Sequence, residues 1–206
     1  MRAWLVAAVM LGACSDDVTI EVTVGTDYVA IDVENTKDYV PIEEGCNDPG
    51  DDFDSASYDP PECAVTYTLA TSDGVETVAT HGSYQFTRTG LGGSLEIDGC
   101  GVNRLFELPD ALPPLDEVTA TRSADSVVVA FEAPSETATH YSASRAGNAV
   151  FSYLTCTVEG TAREIELPAV MRTGVSIAVV ARNRSVTDGV IVDAVSDRVV
   201  VMQPEP

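Results

Sequence analysis

Hydrophobic and polar residues alternate along much of the chain beyond residue 17, and the alternating stretches are rich in Val, Ile, Thr and Tyr. A period of two suits a pleated strand with one buried face, and no segment there sustains the 3.6-residue period of a helix. Val18–Val24 and Tyr28–Val33 alternate in this way around Gly25-Thr26-Asp27, which predicts a strand, a turn and a strand. Further short strands are predicted over Ala64–Ala70, Thr77–Ala79, Ser83–Thr87 and Ser94–Ile97.

The second half of the chain continues the pattern after a proline-rich segment. Leu108–Pro114 contains three prolines, which favour extended chain and indicate a stiff linker. Beyond it one face is apolar at Val127, Val129 and Phe131, and each buried side chain would contribute about 1.5–3 kcal/mol. A chain of 206 residues can form two modest cores. The expected fold is therefore all-β, with two consecutive β-sandwich domains, an acidic one over 18–112 and a second over 113–206.

The second half also resembles fibronectin type III domains from Pro113 to Met202. Ser126–Pro134 resembles the second strand of that family, with Phe131 in place of the usual core tryptophan. Ala138–Ser144 resembles the next strand, and Tyr141 is its landmark aromatic residue. Ile165–Val170 with Thr173-Gly174 leads to Val175–Ala181, which resembles the penultimate strand. The resemblance implies a fibronectin type III-like or other immunoglobulin-like sandwich.

The N-terminus has a short apolar run that ends at a cysteine. Met1 and Arg2 precede the run Ala3–Leu11, and the sequence then reads Leu11-Gly12-Ala13-Cys14. This arrangement resembles the lipobox of bacterial lipoproteins. A bilayer-spanning helix needs about 20 apolar residues, so the run is a removable signal rather than an anchor.

The lipobox resemblance implies where the protein resides. Residues 1–13 would be removed, Cys14 would carry a diacylglyceryl group and a further acyl chain such as palmitate, and 14–17 would form the lipidated tether. Two or three acyl chains hold a protein stably on a membrane. Ser15 after the cysteine favours the outer membrane, so we expect a lipid-anchored protein of the bacterial cell envelope, periplasmic or surface-exposed. The alternatives are an ordinary secretory signal, or a start codon upstream of Met1.

The chain is strongly acidic. Its formal net charge is -22, from 33 acidic and 11 basic residues, yet 45% of its residues are hydrophobic, so it is expected to fold. Residues 15–112 hold 21 acidic and 3 basic residues, whereas 113–206 hold 12 and 7. Such a surface repels phosphate backbones, which excludes nucleic acid as a partner. A cation, a basic partner or simple solvation would suit this charge.

Four cysteines remain once Cys14 is set aside. Cys46, Cys63, Cys100 and Cys156 are an even number in an exported chain, which predicts two disulfides with three possible pairings. We favour Cys46 with Cys63, because they bracket an acidic loop of 16 residues whose closure would stabilise the chain by about 3 kcal/mol. Cys100 with Cys156 follows by elimination and would join the two domains. A zinc site is disfavoured, because there is no CxxC pair and His81 and His140 lie far from the cysteines in the sequence.

The acidic loop is the one candidate for metal binding. Its carboxylates at Asp48, Asp51, Asp52 and Asp54 are hard oxygen ligands of the kind that calcium prefers. Their spacing does not match a helix-flanked calcium loop, so a solvated loop is the competing interpretation. No other cofactor is indicated.

We expect no enzymatic activity. The chain has no GxSxG motif, and Gly90-Leu91-Gly92-Gly93 lies between predicted strands, where it indicates a hairpin turn rather than a phosphate loop. The favoured function is a non-catalytic binding, adhesion or scaffolding lipoprotein whose partners are the membrane, through Cys14, and an envelope protein or glycan. The alternatives are a calcium-binding envelope module and an accessory subunit of an envelope enzyme or motility complex.

Overall fold

The computed structural model of the chain describes residues 19–34, 44–47, 63–88, 92–132, 138–146, 153–169, 175–187 and 190–205. Sixteen strands lie within these ranges. The first eight are β1 Thr19–Val24, β2 Tyr28–Glu34, β3 Gly45–Asn47, β4 Val65–Thr71, β5 Gly74–Thr80, β6 Tyr84–Thr87, β7 Ser94–Gly99 and β8 Val102–Glu107. The other eight are β9 Asp116–Arg122, β10 Ser126–Glu132, β11 His140–Ala146, β12 Tyr153–Glu159, β13 Glu164–Pro168, β14 Ser176–Thr187, β15 Val190–Val195 and β16 Val199–Met202.

The strands that alternation predicted are present, and their alternation follows burial. In β1, Ile20, Val22 and Val24 are buried, and the side chains between them are only half-buried. Six strands were not predicted from the sequence: β3, β8, β9, β12, β15 and β16. All six residues of β15 are buried, because both faces of this strand are covered, so its sequence shows no period of two.

The two halves of the chain repeat one strand order. In the first, β5-β4-β7-β8 forms one sheet and β1-β2-β6 lies in the other. In the second, β13-β10-β9 forms one sheet, and β12, β11, β14 and β16 lie in the other. Each half is therefore an immunoglobulin-like sandwich of the fibronectin type III kind, and we call the halves module 1 and module 2. This confirms the expected all-β fold class.

Each module encloses a hydrophobic cluster around one fully buried tyrosine. Tyr67 on β4 lies in the module 1 cluster and donates a hydrogen bond from its hydroxyl to the Gly82 carbonyl oxygen over 2.9 Å. Tyr141 on β11 occupies the matching strand of module 2, and its ring centroid lies 4.7 Å from that of Phe131. The aromatic residues that the resemblance singled out therefore pack together in the core of module 2.

One nine-stranded sheet runs through both modules, in the order β3-β12-β11-β14-β15-β1-β2-β6, with β16 beside β14. Strand β14 is long: its first half pairs with β16, and its second half continues into a hairpin with β15. The free edge of β15 pairs in parallel with β1 of module 1, from Ile20 opposite Val190 to Val24 opposite Ala194. We call this nine-stranded array the shared sheet.

Both cores lie on the same face of the shared sheet. Val190 and Val192 of β15 belong to the module 1 cluster, and Ala194, which points to the same side, belongs to the module 2 cluster. The smaller sheets β5-β4-β7-β8 and β13-β10-β9 therefore cover the same face of the shared sheet. The opposite face of the shared sheet, which we call its outer face, carries Arg182, Arg184, Asp193 and Glu21.

The segment between the modules is anchored on both sides. Leu108 is buried in the module 1 cluster, and Leu112 and Leu115 are buried in the module 2 cluster. The Leu112 amide also donates a hydrogen bond to the Val195 carbonyl oxygen over 3.2 Å. The division of the chain into domains at residue 112 stays a prediction. Strand β15 does not follow this division, because it belongs to the second half of the chain but contributes Val190 and Val192 to the module 1 core.

Candidate functional site: the seam between the modules

Charged side chains meet where β14, β15 and β1 lie side by side, a region that we call the seam. Asp193 Oδ2 accepts hydrogen bonds from Arg182 Nη1 at 2.8 Å and from Arg184 Nη2 at 3.1 Å. Arg184 Nη2 also donates to Glu21 Oε1 of module 1 at 2.6 Å. The strand register produces this arrangement, because Arg184 lies opposite Asp193, whose other neighbour is β1. A single guanidinium thus links carboxylates from the two modules.

Burial makes the charges of the seam interdependent. The Asp193 side chain is fully buried and that of Arg184 is 12% exposed, whereas Arg182 and Glu21 are each about one-third exposed. A buried carboxylate is costly unless cations and hydrogen bonds compensate it. Asp193 Oδ2 carries both contacts, and Oδ1 has no hydrogen-bond partner among the described residues. The stability of the seam therefore depends on both arginines.

Burial also shifts the titration of groups around the seam. It raises the pKa of Glu21, and the nearby Arg184 guanidinium only partly opposes this effect. Burial likewise raises the pKa of the Tyr28 hydroxyl, against a smaller opposing effect of Arg182 and Arg198. Desolvation of the Glu21 carboxylate thus outweighs its attraction to Arg184, as often happens for partly buried ion pairs.

The raised pKa of Glu21 predicts a pH dependence of stability. Between the ordinary pKa of 4.5 and the raised folded value, the folded state binds more protons than the unfolded state. The contribution of Glu21 to stability is therefore complete below pH 4.5 and is lost as pH rises through the folded pKa. We expect the wild type to gain stability relative to Glu21→Gln as pH is lowered from 7 to 4, measured by urea unfolding. A difference that is independent of pH, or that grows in the opposite direction, would contradict this assignment.

The turns near the seam add further contacts between modules. The Thr26 hydroxyl, in the β1–β2 turn, donates a hydrogen bond to the Asp197 carboxylate, in the β15–β16 connection. Gly25 lies directly against the ring of Tyr28, where a Cβ atom would clash with the ring carbons. A glycine at this position lets the tyrosine ring lie flat on the turn.

A disulfide joins the modules at the far end of the shared sheet. Strand β3, which follows β2 of module 1 along the chain, pairs with β12 of module 2 and places Cys46 directly opposite Cys156. These two cysteines are disulfide-bonded across 110 residues of sequence. The second disulfide, Cys63–Cys100, lies within module 1.

The favoured cysteine pairing was therefore wrong, although all four cysteines are paired. Sequence reasoning joined Cys46 to Cys63 because they bracket the acidic loop. The fold instead brings Cys63, just before β4, beside the β7–β8 turn that carries Cys100. A disulfide between the modules does exist, but the partner of Cys156 is Cys46.

Local turn geometry explains the position of Cys100. Cys100 and Gly101 both have positive φ, 51° and 76°, and they form the two-residue turn of the β7–β8 hairpin. Such tight turns match the twist of the flanking strands but strain residues other than glycine, asparagine and aspartate. The disulfide therefore fixes a turn whose first residue adopts an uncommon backbone conformation.

Several predicted site residues lie outside the described ranges. Among them are the lipidation residue Cys14 and the calcium candidates Asp48, Asp51, Asp52 and Asp54. Within the described ranges, no group of three His, Cys, Asp or Glu side chains is placed to hold a metal ion. In the same ranges, no helix has the length and apolar character needed to cross a membrane.

Neither histidine hydrogen-bonds to the seam carboxylates, although His140 on β11 lies directly opposite Arg182 of the seam. His81 is exposed in the turn between β5 and β6, and His140 Nδ1 lies 3.0 Å from Thr139 Oγ1 on the surface of module 2. A shallow cleft of about 190 Å³ beside the β4–β5 turn is lined by Asp73 and Glu76 among others. It is smaller than typical small-molecule sites of about 300–1,000 Å³.

No protein-family model matches the chain, and no curated protein matches it. Among solved structures, it is similar to a two fibronectin type III domain segment from chicken tenascin. The identity is 11%, the alignment covers 89% of this chain and 95% of that chain, and the TM-score is 0.38.

Sequence reasoning missed the seam. Its charges come from positions 21, 182, 184 and 193, and only tertiary pairing brings β1 beside β15. One signal was present: Asp193 interrupts the apolar run Val190–Val195. A carboxylate in a strand that is otherwise apolar on both faces indicates a buried ionic partner.

Proposed function

We propose that this chain is a lipid-anchored, non-catalytic binding or scaffolding protein of the bacterial cell envelope, built as a stiff two-module arm. The observation that carries the proposal is the shared sheet. Modules in tandem usually move relative to each other unless a large interface joins them. Here continuous strand pairing, the Arg184–Glu21 ion pair and the Cys46–Cys156 disulfide connect the two modules.

Stiffness suits a protein that presents a surface at a fixed position. A rigid arm loses little conformational freedom when it binds, so more of the contact energy appears as affinity. Fibronectin type III-like sandwiches commonly serve as binding or scaffolding modules, although the fold alone does not identify a partner.

The cysteines support export. Disulfides persist in oxidising compartments such as the periplasm and cell surface, and are rare in the cytosol. All four cysteines of the described ranges are disulfide-bonded. This pattern agrees with a signal at residues 1–13.

The tether would hold module 1 close to the membrane. Strand β1 begins at Thr19, five residues after Cys14. A fully extended chain of this length spans at most about 18 Å. Module 1 would therefore lie near the lipid surface.

Replacing the lipidation residue tests the anchor. We expect Cys14→Ala to move the protein from the membrane fraction to the soluble fraction, because no acyl chain can be attached. Mass spectrometry of the wild type should find an acylated N-terminal peptide that starts at Cys14. Ser15→Ala, the matched control, should stay in the membrane fraction. An unmodified residue 14, or unchanged membrane retention of Cys14→Ala, would exclude the lipoprotein assignment.

A further inference from the structure

The four-stranded sheet β5-β4-β7-β8 of module 1 packs one face on the core and exposes the other. Because Tyr67 and Leu69 of β4 point into the module, Thr68 and Ala70 point outward. Strand pairing places Glu96 of β7 and Leu105 of β8 in the row of Thr68, and Val75 and Glu107 in the row of Ala70. We call the surface formed by these six residues the module 1 face.

Two large aliphatic side chains stand exposed at the edges of this face. Val75 on β5 is 71% exposed, and Leu105 on β8 is 70% exposed. Three strand spacings of about 4.8 Å separate these edge strands, and only small side chains such as Ala70 and Thr68 lie on β4 between them. The face thus offers one apolar contact on each edge strand, with Glu96 of β7 between them.

The charge on the module 1 face is uncompensated. Glu96 and Glu107 point outward, are exposed, and form no ion pair within the described residues. Arg104 lies opposite Ile97, a core residue, and therefore projects from the other side of β8. The outer face of the shared sheet also exposes apolar residues, Val200 and Met202, but its seam carboxylates are matched by arginines.

We propose that the module 1 face is the docking surface for a basic partner protein, whose Lys or Arg side chains contact Glu96 and Glu107 and whose apolar side chains contact Val75 and Leu105. This rests on the binding role proposed above but not on the lipid anchor. Charge complementarity selects the partner, since like charges across an interface are strongly disfavoured. A second copy of a chain with net charge -22 would bring carboxylates together. Small-molecule sites are usually concave pockets, whereas this face is an open sheet surface.

The size of the face sets the strength of the contact. Four strands of about six residues cover roughly 400 Å² at the usual strand spacing and rise. A standard interface buries about 800 Å² on each partner. The contact on this face is therefore weak and reversible, and it weakens as salt screens the carboxylates.

The test uses the full chain in intact cells, with a photo-crosslinking amino acid at Thr77, which is exposed on β5 opposite Thr68. We expect one dominant adduct with a protein whose contact surface is basic. Leu105→Ser should reduce the adduct, and so should the pair Glu96→Gln and Glu107→Gln. The matched control removes two exposed carboxylates from the smaller sheet of module 2, as Glu164→Gln and Glu166→Gln, and should leave the adduct unchanged.

Binding of the captured protein, purified, to the full chain provides the second measurement. The pair Glu96→Gln and Glu107→Gln should raise Kd about 5- to 10-fold at low salt and less at high salt, since exposed ion pairs are individually weak and screened. Unchanged thermal unfolding midpoints show that the variants remain folded. Calorimetric titration supplies the Kd.

The outcomes separate this proposal from the general binding role. Any of three outcomes would overturn the proposal for the module 1 face. They are no adduct at Thr77, an adduct with a second copy or with an acidic protein, and an adduct that the variants do not change. A crosslinker at Val200 distinguishes the two failures. Capture there but not at Thr77 leaves the binding role standing with a different surface, whereas capture at neither position counts against both.

Discussion

Replacing Cys46 and Cys156 together by alanine is expected to lower the free energy of unfolding by about 3–5 kcal/mol. The disulfide spans 110 residues, and in the chain-entropy model crosslinks across such a distance contribute close to the top of the usual range. The variant also releases β3 from the edge of β12, since only three residue pairs hold that strand. The loss should therefore affect the connection between the modules as well as overall stability.

Calorimetry and circular dichroism are the appropriate measurements, because the only tryptophan of the chain is Trp4, in the predicted signal. The control, Cys63→Ala with Cys100→Ala, removes a disulfide within module 1 and should leave the joining of the modules intact. Without reduction, digestion at aspartate residues should yield peptides linking Cys46 to Cys156 and Cys63 to Cys100. A peptide linking Cys46 to Cys63 would contradict the arrangement in the structure.

Asp193→Asn is expected to destabilise the protein by about 2–4 kcal/mol, a smaller effect at a single position. The substitution keeps the side-chain shape but leaves two guanidinium groups beside a buried neutral amide. Removing one partner of a buried ion pair is costly because the remaining charge stays desolvated. The partial exposure of Arg182 places the expected loss below the upper limit for buried pairs.

Thermal unfolding of Asp193→Asn should show a midpoint lowered by roughly 4–16 °C, given about 2–4 °C per kcal/mol for chains of this size. Asp125→Asn is the matched control: it removes the same charge from an exposed position in the β9–β10 turn, which contains no residue of the seam, and should change stability by less than about 0.5 kcal/mol. Adding Arg184→Met to Asp193→Asn should cost less than the sum of the two single effects, because the substitutions share one contact. Equal midpoints for the two asparagine variants would show that the seam contributes nothing to stability.

The sequence predicted β1, β2, β10 and β14 because each has one face on a core and alternates accordingly. Among the six strands that it missed, β15 has two covered faces and β3 is too short to show a period. The Cys46–Cys63 pairing failed for a related reason. Closeness along the chain favours a short loop, but strand pairing had already placed Cys46 beside Cys156.

The sequence by itself determined the all-β class, the core positions of the alternating strands, the acidic character and an even set of cysteines, because these follow from local periodicity and composition. Only the tertiary structure decided that β15 pairs with β1 of module 1, that Asp193 forms ion pairs with Arg182 and Arg184, and that Cys46 is disulfide-bonded to Cys156. The physical reason is that strand pairing is non-local. A strand edge carries backbone donors and acceptors that fit many partners, and the packing of the whole chain selects among them.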